Sequence, residues 1–391
     1  MKIAINCAFY QPRGGGIAEY IFNLVNNIGK IDKENDDILY VLKDQLSFAR
    51  RGLPGGFRIK TIPFGSSYTE VLKRSIFEQQ FWNREEETEK FDIFHSPFFH
   101  SPSFKHAKVV VTVHDMRFFR FPYTYTMFRY IYLRYKVKKS VMSADRIITI
   151  SQFTKDELLT AYDLSPEKIA VIHEAINPER FGTKPNEGVE VPLALTKCPF
   201  VLSVGHIEPR KNYDRLIDAF IRIIQNPSLS NTKLVIVGKK GHHYKQTLKK
   251  MQRSQNVVYL DFVSHELLLW LYRNACLFMF PTYYEGFGFP PLEAGAAGTI
   301  SAVSNVSSMP EVCGDAVAFF NPYDIDEMAS VMEQCITNST LRENLRNKMK
   351  IQLQKFTWEE NAISTIALYK ELYNKQSGGG NLCSNILRLA A

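Results

Sequence analysis

The chain has 391 residues, of which 45% are hydrophobic and 23% charged, a composition typical of a globular protein long enough for two α/β domains. Its longest apolar runs, such as 109–113 and 275–280, fall far short of the roughly 20 residues that cross a bilayer, so we expect no membrane-spanning helix. The net charge of +8 favours anionic partners, namely phosphate-bearing ligands, anionic lipids or nucleic acid, without choosing among them.

The first ten residues are apolar enough to be mistaken for a signal peptide. Asn6 interrupts this run and a glycine cluster follows it, which is more typical of a first buried strand. The six cysteines are widely scattered, with no C-x-x-C pair and no histidine at metal-ligand spacing, so they indicate free thiols in a reducing compartment. We therefore expect a cytoplasmic protein.

Short β-branched runs recur along the first half of the chain, separated by amphipathic stretches such as 17–28 and 155–161. Uninterrupted apolar runs indicate strands buried on both faces, and the amphipathic stretches between them indicate crossover helices. The first half is therefore predicted to be a doubly wound α/β sheet. Its predicted strands are 3–9, 38–42, 57–63, 91–95, 109–113, 146–150 and 169–172.

A second series of strands and helices begins at Phe200, so the architecture is predicted to repeat. Its predicted strands are 200–204, 234–237, 257–260, 277–280, 300–303 and 317–320. Between the halves, a region rich in proline and glycine lacks periodicity and is predicted to be a linker beside a cleft. The predicted segments are a first domain (1–180), the linker (181–197), a second domain (198–357), a helix (358–376) and a flexible tail (377–391).

Glycines follow the first predicted strand and precede a helix, at Gly14, Gly15 and Gly16. Such a cluster can bring backbone N–H groups close to a ligand. Glu19 stands where the dinucleotide-binding fingerprint has its third glycine, which argues against NAD.

His114 and Asp115 end the strand predicted at 109–113, which is where open α/β sheets bind ligands. A histidine and an aspartate at a strand end more commonly form a local structural hydrogen bond. Both interpretations stay open at this point.

The segment from Arg117 to Lys139, which we call the basic–aromatic segment, contains seven Arg or Lys residues, nine Phe or Tyr residues and no acid. Interleaved basic and aromatic residues are typical of a nucleic-acid or membrane surface, and equally of a helix that buries its aromatic face. If the segment is exposed, we expect it to meet the inner face of a membrane, not nucleic acid.

The run from Glu285 to Glu293 carries the strongest functional signal. Its two glycines allow a tight turn, and its paired prolines suit the start of a helix, whose free N–H groups attract phosphate. The two carboxylates, on either side of the turn, can accept hydrogen bonds from a sugar and a ribose. The alternative is a plain loop with a helix cap. As a loop residue, Glu285 should contribute little to any core.

These two glutamates, with seven residues between them, resemble the E-x7-E motif of glycosyltransferase family 4. Residues 204–212, which include Gly205, Arg210, Lys211 and Asn212, resemble the Gly-Lys-Asn segment of that family, and the likeness extends from the first strand to about residue 372. The resemblance implies the GT-B fold, with two Rossmann-like domains facing a central cleft and a C-terminal helix that crosses back to the first domain. It also implies transfer of a sugar with retention at the anomeric carbon.

The resemblance assigns roles to individual residues. Lys211 would hold the donor diphosphate with Arg210 as a second contact, and Glu285 would act at the reacting centre. His206 stands where many members have arginine, so a phosphate contact there is expected to be weaker or pH-dependent. His114 would lie near the donor sugar and Asp115 on the acceptor side, and no general base is assigned. Further substrate contacts are implied at Gly15, Gly16, Val263 in the base-binding loop, Gly286, Phe287, Gly288 and Glu293, with a donor-side segment at 307–312 and a packing role for Trp358.

Competing functions are weaker. Asp324 and Asp326 fit a D-x-D metal motif, but they follow the last predicted strand and are expected to cap a helix, so we predict no metal and no cofactor. A sugar-nucleotide epimerase or a phosphorylase could use twin domains of this kind, although no pyridoxal lysine is identifiable. A non-catalytic binding protein would be expected to lose the glutamates or Lys211.

The donor sugar is less well specified than the reaction. The segments at 209–212, 114–115 and 307–311 look most like those of bacterial mannosyltransferases of surface polysaccharide assembly, including lipopolysaccharide. GDP-mannose is therefore the first expectation, with UDP-linked hexoses second, and the acceptor is expected to be a saccharide or a lipid-linked saccharide.

Overall fold

A computed structural model describes residues 1–10, 15–53, 55–182 and 189–376. Contacts divide the chain into two compact units, one formed by Met1–Glu174 with the segment that begins at Trp358, and one formed by Ala175–Thr357. The predicted tail at 377–391 and Gly14 lie outside the described residues.

The first unit contains a seven-stranded parallel sheet, and all of its predicted strands are confirmed. The strands are β1 (Lys2–Asn6), β2 (Asp36–Leu42), β3 (Arg58–Ile62), β4 (Ile93–Ser96), β5 (Lys108–Val113), β6 (Arg146–Thr149) and β7 (Ile169–Val171). Their order is β3-β2-β1-β4-β5-β6-β7, so the direction of winding reverses between β1 and β4.

The second unit contains a six-stranded parallel sheet that confirms the second predicted series. Its strands are β8 (Phe200–Val204), β9 (Lys233–Val237), β10 (Val257–Leu260), β11 (Leu277–Phe280), β12 (Ser301–Ser304) and β13 (Ala318–Phe320). Their order is β10-β9-β8-β11-β12-β13, and the winding reverses between β8 and β11. In such sheets, ligands bind beyond the carboxyl ends of the strands that flank this reversal.

Helices connect the strands within each unit. They are α1 (Gly16–Ile31), α2 (Leu46–Gly52), α3 (Tyr68–Glu89), α4 (Arg117–Arg120), α5 (Met127–Ser143), α6 (Gln152–Ala161), α7 (Pro178–Gly182), α8 (Leu193–Thr196), α9 (Tyr213–Ile223), α10 (Tyr244–Gln252), α11 (His265–Asn274), α12 (Phe289–Ala296), α13 (Met309–Cys313), α14 (Ile325–Thr337), α15 (Ser339–Leu353) and α16 (Trp358–Gln376). Among the helices of the described ranges, none combines the length and the apolar composition needed to cross a bilayer.

The first strand is shorter than predicted. The sequence predicts strand to residue 9, but β1 ends at Asn6, because the chain turns there and the N–H of Tyr10 donates to the carbonyl of Cys7 at 2.8 Å. Hydrophobic periodicity does not register such a turn, since Cys7 and Ala8 are as buried as the strand itself.

The last helix belongs to the first unit, as the predicted crossing helix requires. The Trp358 ring lies 5.9 Å from that of Tyr20 on α1, and the Tyr369 hydroxyl lies 2.5 Å from Nδ1 of His95 on β4. Trp358 is only 7% exposed, which confirms its predicted packing role.

Candidate active site

The two segments with the strongest sequence signal follow the two strands that flank the reversal of the second sheet. Lys211 ends a short 3-10 turn after β8, and Glu285 follows β11. The sheet therefore brings together side chains that are 74 residues apart in sequence.

Glu285 is the hub of a buried cluster of charges. Its Oε1 accepts from Nζ of Lys211 at 2.6 Å and from Oγ1 of Thr282 at 3.0 Å, and it lies 2.7 Å from Nη1 of Arg210. Among the described residues, none donates to the other oxygen, Oε2, and the side chain is 14% exposed. One carboxylate oxygen is thus held by protein groups, and the second can accept a hydrogen bond from a ligand.

The two cations of this cluster keep Glu285 ionised. Burial alone would raise the pKa of Glu285, but Arg210 and Lys211 outweigh it and lower that pKa to about 2. Burial lowers the pKa of Lys211, and Arg210 adds to that effect, although Glu285 opposes both. Glu285 therefore stays ionised throughout the neutral range.

Arg210 is held by protein acceptors. Its Nε and Nη2 donate to Oε1 of Glu208 at 3.0 and 2.7 Å, and its Nη1 donates to the carbonyl of Tyr284 at 2.5 Å. These bonds tie the loop after β8 to the loop after β11. They indicate that Arg210 positions Glu285, in addition to the phosphate contact that the sequence suggests.

Lys211 reaches Glu285 because Gly205 has no side chain. A Cβ at Gly205 would lie 3.0 Å from Cε of Lys211 and 3.0 Å from the hydroxyl of Tyr213, and its φ of +151° also favours glycine. Gly238, which follows β9, supports this arrangement, since a Cβ there would lie 2.0 Å from the carbonyl oxygen of Gly205. Neither Thr282 nor Gly238 was identified from the sequence.

The turn that carries Glu285 rests on a serine pair. The N–H of Glu285 donates to Oγ of Ser307 at 3.2 Å. Oγ of Ser308 lies 3.0 Å from the carbonyl of Glu285 and 2.8 Å from that of Phe287. Gly288 has a φ of +104° and no room for a Cβ, which would lie 2.1 Å from Cε of Met309. The segment at 307–312 therefore shapes this turn.

The helix start after this turn offers fewer donors than expected. Gly288 is the N-cap of α12, and Pro290 and Pro291 occupy two of its first three positions. Because proline lacks an N–H, this helix start offers a phosphate fewer hydrogen-bond donors than the sequence predicts. Gly286 and Phe287 are buried within the turn.

Glu293 lies on the first turns of α12 and faces a different partner. Its Oε2 accepts from the hydroxyl of Tyr272 at 2.8 Å, and burial together with this carboxylate raises the pKa of Tyr272. The two glutamates of the motif thus have different partners, two cations for Glu285 and the hydroxyl of Tyr272 for Glu293. That difference agrees with separate roles for the pair.

Val263 borders a cavity at the carboxyl end of β10. The cavity has a volume of about 660 Å³ and is lined mainly by the β10–α11 loop, at Asp261, Phe262, Val263 and Ser264. β10 is two strands from β8 in the sheet, so the cavity lies roughly 10 Å from the end of β8, given the usual spacing of strands. A nucleoside whose phosphates meet Lys211 can span that interval. His206 is exposed just after β8.

In the first unit, His114 follows β5 and is clamped between two acceptors. Its Nδ1 lies 2.8 Å from Oε1 of Glu174, and its Nε2 lies 3.0 Å from the carbonyl of Pro97. Burial would lower the pKa of His114, but Glu174 and the Pro97 carbonyl raise it overall. The ring is thus held in place in surroundings that favour its protonated form, and Glu174, which no sequence motif marks, is its partner.

The other residues predicted in this unit follow β1 and β5, which are separated by β4 in the sheet. Gly15 caps α1 with φ +82° and ψ −168°, a conformation that is essentially restricted to glycine, and a Cβ at Gly15 or Gly16 would meet open space. Tyr20 on α1 packs edge-on against His114, with ring centroids 4.8 Å apart. Oδ1 of Asp115 accepts from the N–H of Arg117 at 2.9 Å, which anchors the basic–aromatic segment.

The basic–aromatic segment exposes its aromatic face. Val137 and Val141 hold α5 against the core of the first unit, yet Phe128 is 88% exposed, Tyr135 63% and Ile131 57%. The alternative in which this face packs inward is therefore wrong. The aromatic face is exposed because α5 has two apolar stripes, and only one of them packs against the core.

Metal ligands are not grouped in the described ranges, where no three His, Cys, Asp or Glu side chains converge. Oδ1 of Asp324 accepts from the N–H groups of Asp326 and Glu327 at 2.9 and 3.0 Å. The D-x-D run thus caps α14, as expected.

The structure corrects the expectation that Glu285 contributes little to folding. We expect Glu285→Ala to lower the free energy of unfolding by about 3–5 kcal/mol, because it leaves two buried cations without their shared acceptor. Urea denaturation measures this, with Glu343→Ala as the control at an exposed glutamate near a helix start, where a change within about 0.5 kcal/mol is expected. Equal stability of Glu285→Ala and the unsubstituted protein would contradict the cluster.

Family models match both halves of the chain. The model described as Glycosyltransferase Family 4 matches residues 14–180, and the one described as Glycosyl transferases group 1 matches residues 186–352. Among solved structures, sucrose-phosphate synthase from Thermosynechococcus elongatus has a TM-score of 0.72 at 17% identity, covering 96% of this chain and 99% of that chain. That likeness shows the fold.

Curated relatives agree with the family models. The O-antigen chain mannosyltransferase B of Escherichia coli is 30% identical over 285 residues, which cover 72% of this chain and 74% of that protein. The serotype-specific mannosyltransferase WbdA of Escherichia coli is 29% identical over 238 residues, or 59% of this chain and 29% of that longer protein. With two Rossmann-like units of the GT-B fold and the charged cluster beyond β8 and β11, the chain belongs to glycosyltransferase family 4.

Proposed function

We propose that this glycosyltransferase moves mannose from GDP-mannose to a saccharide or lipid-linked saccharide of the O-antigen class, with retention at the anomeric carbon. The observation that carries the proposal is the Glu285 cluster, which joins a cation suited to a diphosphate with a carboxylate oxygen suited to a hydroxyl. The choice of mannose rests on the relatives that are named mannosyltransferases.

The donor diphosphate is assigned to Lys211. Its ammonium is buried beside Glu285 and lies 4.7 Å above the Phe280 ring, so a phosphate oxygen that reaches it replaces little water. A charge-assisted bond in such surroundings is strong. Negative charge that develops on the departing nucleotide is stabilised at the same point.

Glu285 is assigned to the sugar. Because Oε1 accepts from Lys211 and Thr282 and lies beside Arg210, Oε2 is the atom that can accept from a hydroxyl of the transferred sugar. Because the pKa of Glu285 is about 2, the carboxylate remains an acceptor at every pH where the protein works. The same low pKa makes Glu285 a poor general base, so its role is to orient the sugar and stabilise positive charge near the anomeric carbon.

The nucleoside is assigned to the β10–α11 loop and to Glu293. The cavity at Val263 takes the base, and Glu293 accepts from the ribose hydroxyls. His114, Asp115, Gly15 and Gly16 keep their predicted roles next to the donor sugar and the acceptor. Protonation of His114, which Glu174 favours, would add positive charge there.

A donor panel tests the proposal. With a mannose-containing oligosaccharide as acceptor, we expect nucleotide release from GDP-mannose to exceed that from UDP-glucose or UDP-galactose by at least roughly tenfold, since two different bases and sugars must fit one site. NMR of the product should show the α-linkage of the donor. Faster turnover of a UDP-sugar would overturn the choice of donor, and a β-linked product would overturn retention.

Lys211→Ala should weaken GDP binding by about 1.5–3 kcal/mol, roughly 10–150-fold, because a charge-assisted contact to phosphate is lost. Calorimetry measures this, and Lys348→Ala, where the lysine pairs with exposed Asp315, should bind GDP as before. Equal affinities for the two variants would move the diphosphate away from Lys211.

We also propose that transfer needs no metal ion, because Lys211 offsets the phosphate charge that a metal would otherwise meet. Transfer in EDTA should therefore match transfer in buffer. Loss of activity in EDTA, with recovery on adding Mg²⁺ or Mn²⁺, would refute this part of the proposal.

The acceptor side is proposed to dock on an anionic membrane surface through the basic–aromatic segment. The exposed side chains of Phe128 and Ile131 can enter the interface, while basic residues of the segment meet acidic headgroups. With this contact, a cytoplasmic enzyme would work at the inner face of the membrane on a lipid-linked acceptor.

Replacing Phe128 and Ile131 with Ser should reduce binding to vesicles that contain phosphatidylglycerol by at least roughly tenfold, because each apolar side chain contributes about 1.5–3 kcal/mol when buried. Ile351→Ser is the matched control, at an exposed isoleucine on a helix of the second unit. Co-sedimentation at low and high salt measures binding. No binding by the unsubstituted protein at low salt would end the membrane proposal.

A further inference from the structure

Two tyrosines of the second unit form a stacked pair beside the Glu285 cluster. Tyr283 lies in the loop after β11 and Tyr323 in the loop after β13, with ring centroids 4.9 Å apart and 18° between the ring planes. Tyr283 precedes Glu285 by two residues, so the two Cα atoms lie within about 7 Å, the reach of two extended residues. We call Tyr283 and Tyr323 the tyrosine pair.

The inner ring of the pair is fixed by hydrogen bonds. The hydroxyl of Tyr283 donates to Oδ1 of Asn212 at 2.7 Å and accepts from Nη1 of Arg215 on α9. Nδ2 of Asn212 donates to the carbonyl of Pro322 at 2.8 Å, which ties down the loop that carries Tyr323. Loops after β8, β11 and β13 therefore hold the two rings in place before a ligand arrives.

The outer ring of the pair faces solvent. Tyr323 is 62% exposed although Tyr283 covers one face of its ring, so the opposite face is open. Burial during folding does not account for an aromatic ring left this exposed. Because the ring is already fixed, it loses little conformational freedom when a ligand stacks on it.

Hydrogen-bonding groups adjoin the open ring. Asp324 follows Tyr323 and is exposed, and its Oδ1 caps α14, while none of the described residues donates to its Oδ2. The hydroxyl of Tyr323 is a second polar group at the edge of the ring. A pyranose presents C–H groups on its face and hydroxyls around its rim, so it matches an aromatic face bordered by a carboxylate and a hydroxyl.

A nucleobase also stacks on aromatic rings, but the strand order argues against one here. The cavity assigned to the base follows β10, whereas Tyr323 follows β13, and these are the two edge strands of the six-stranded sheet. Six strands have five intervals of about 4.8 Å, so the two strand ends lie roughly 24 Å apart across the sheet. The ligand chemistry that suits the tyrosine pair is therefore that of a saccharide and not of the donor nucleoside.

We propose that the tyrosine pair is a saccharide-binding subsite that stacks on a mannose ring of the acceptor chain, other than the ring that receives the transferred sugar. The inference rests on the proposed function, since it takes the acceptor to be a mannose-containing saccharide. It adds a length preference: the enzyme favours acceptors of several sugars over a single sugar.

The direct test is a saturation-transfer NMR titration with α-linked mannotriose, without donor or vesicles. Tyr323→Ala should weaken binding by at least roughly fivefold, because the contact between the ring and the apolar face of the sugar is lost. Tyr323→Phe, which keeps the ring, should give a smaller loss. Ile351→Ala is the matched control, since Ile351 is 63% exposed in the same unit, and it should bind mannotriose as the unsubstituted protein does.

Calorimetry with GDP separates a sugar contact from a structural role of Tyr323. Pro322 accepts from Asn212, which follows Lys211, so a variant that only loosened these loops would weaken GDP binding as well. We expect the GDP affinity and the melting temperature of Tyr323→Ala to match those of the unsubstituted protein. Equal losses of mannotriose and GDP binding would overturn the proposal. So would mannotriose binding that Tyr323→Ala leaves unchanged, or that the unsubstituted protein lacks.

An activity arm separates this inference from the proposed function. Mannose transfer is measured to mannotriose and to methyl α-mannoside, and Tyr323→Ala should raise KM for mannotriose alone. If the unsubstituted protein transfers mannose to neither acceptor but Tyr323→Ala still loses mannotriose binding, the proposed function fails and the tyrosine pair stands. If mannose is transferred and Tyr323→Ala leaves KM for mannotriose unchanged, the tyrosine pair fails alone.

Discussion

The buried cluster of Glu285, Arg210 and Lys211 is the constraint on which the second unit depends. Burying a lone carboxylate or ammonium there would cost several kcal/mol of folding free energy. The burial is tolerated because both cations lie within 2.7 Å of the Glu285 carboxylate. The geometry of this cluster also requires glycine at two nearby positions. Gly205 must lack a side chain so that Lys211 can pass, and Gly238 must lack one so that Gly205 can fit.

The arrangement would also let Glu285 serve both folding and the proposed contact with the sugar. Oε1 of Glu285 bonds only to the protein, which fixes the carboxylate plane, and Oε2 is then presented in one direction. A preorganised acceptor costs no reorganisation when the sugar arrives. A diphosphate that meets Lys211 would change the balance of charge in the cluster, so donor binding and the geometry of Glu285 should be coupled.

Much of the fold could be predicted because both sheets are parallel and buried. Many of these strands have continuous apolar runs, as at 109–113 and 277–280, and the strands of the described residues were predicted from β-branched runs of this kind. Which face of α5 meets the core could not be predicted. Its stripe at Leu133, Val137 and Val141 and its stripe at Phe128, Ile131 and Tyr135 are both apolar, and only packing distinguishes them.

The site was predicted only in part. Lys211 and Glu285 stand out because charged residues in glycine-bearing loops after strands are unusual, and the family resemblance supplied roles for them. The residues that position the functional side chains could not be found in this way. Ser307 lies 22 residues from Glu285, and Glu174 lies 60 residues from His114, so local patterns do not connect them. Strand order makes them neighbours.

A structure of the protein with GDP-mannose or a non-hydrolysable analogue would locate the donor relative to Lys211 and Glu285. We expect a phosphate oxygen within hydrogen-bond distance of Nζ of Lys211 and a sugar hydroxyl on Oε2 of Glu285, with the base at Val263. A diphosphate bound away from Lys211, or a sugar that leaves Oε2 of Glu285 in solvent, would contradict it.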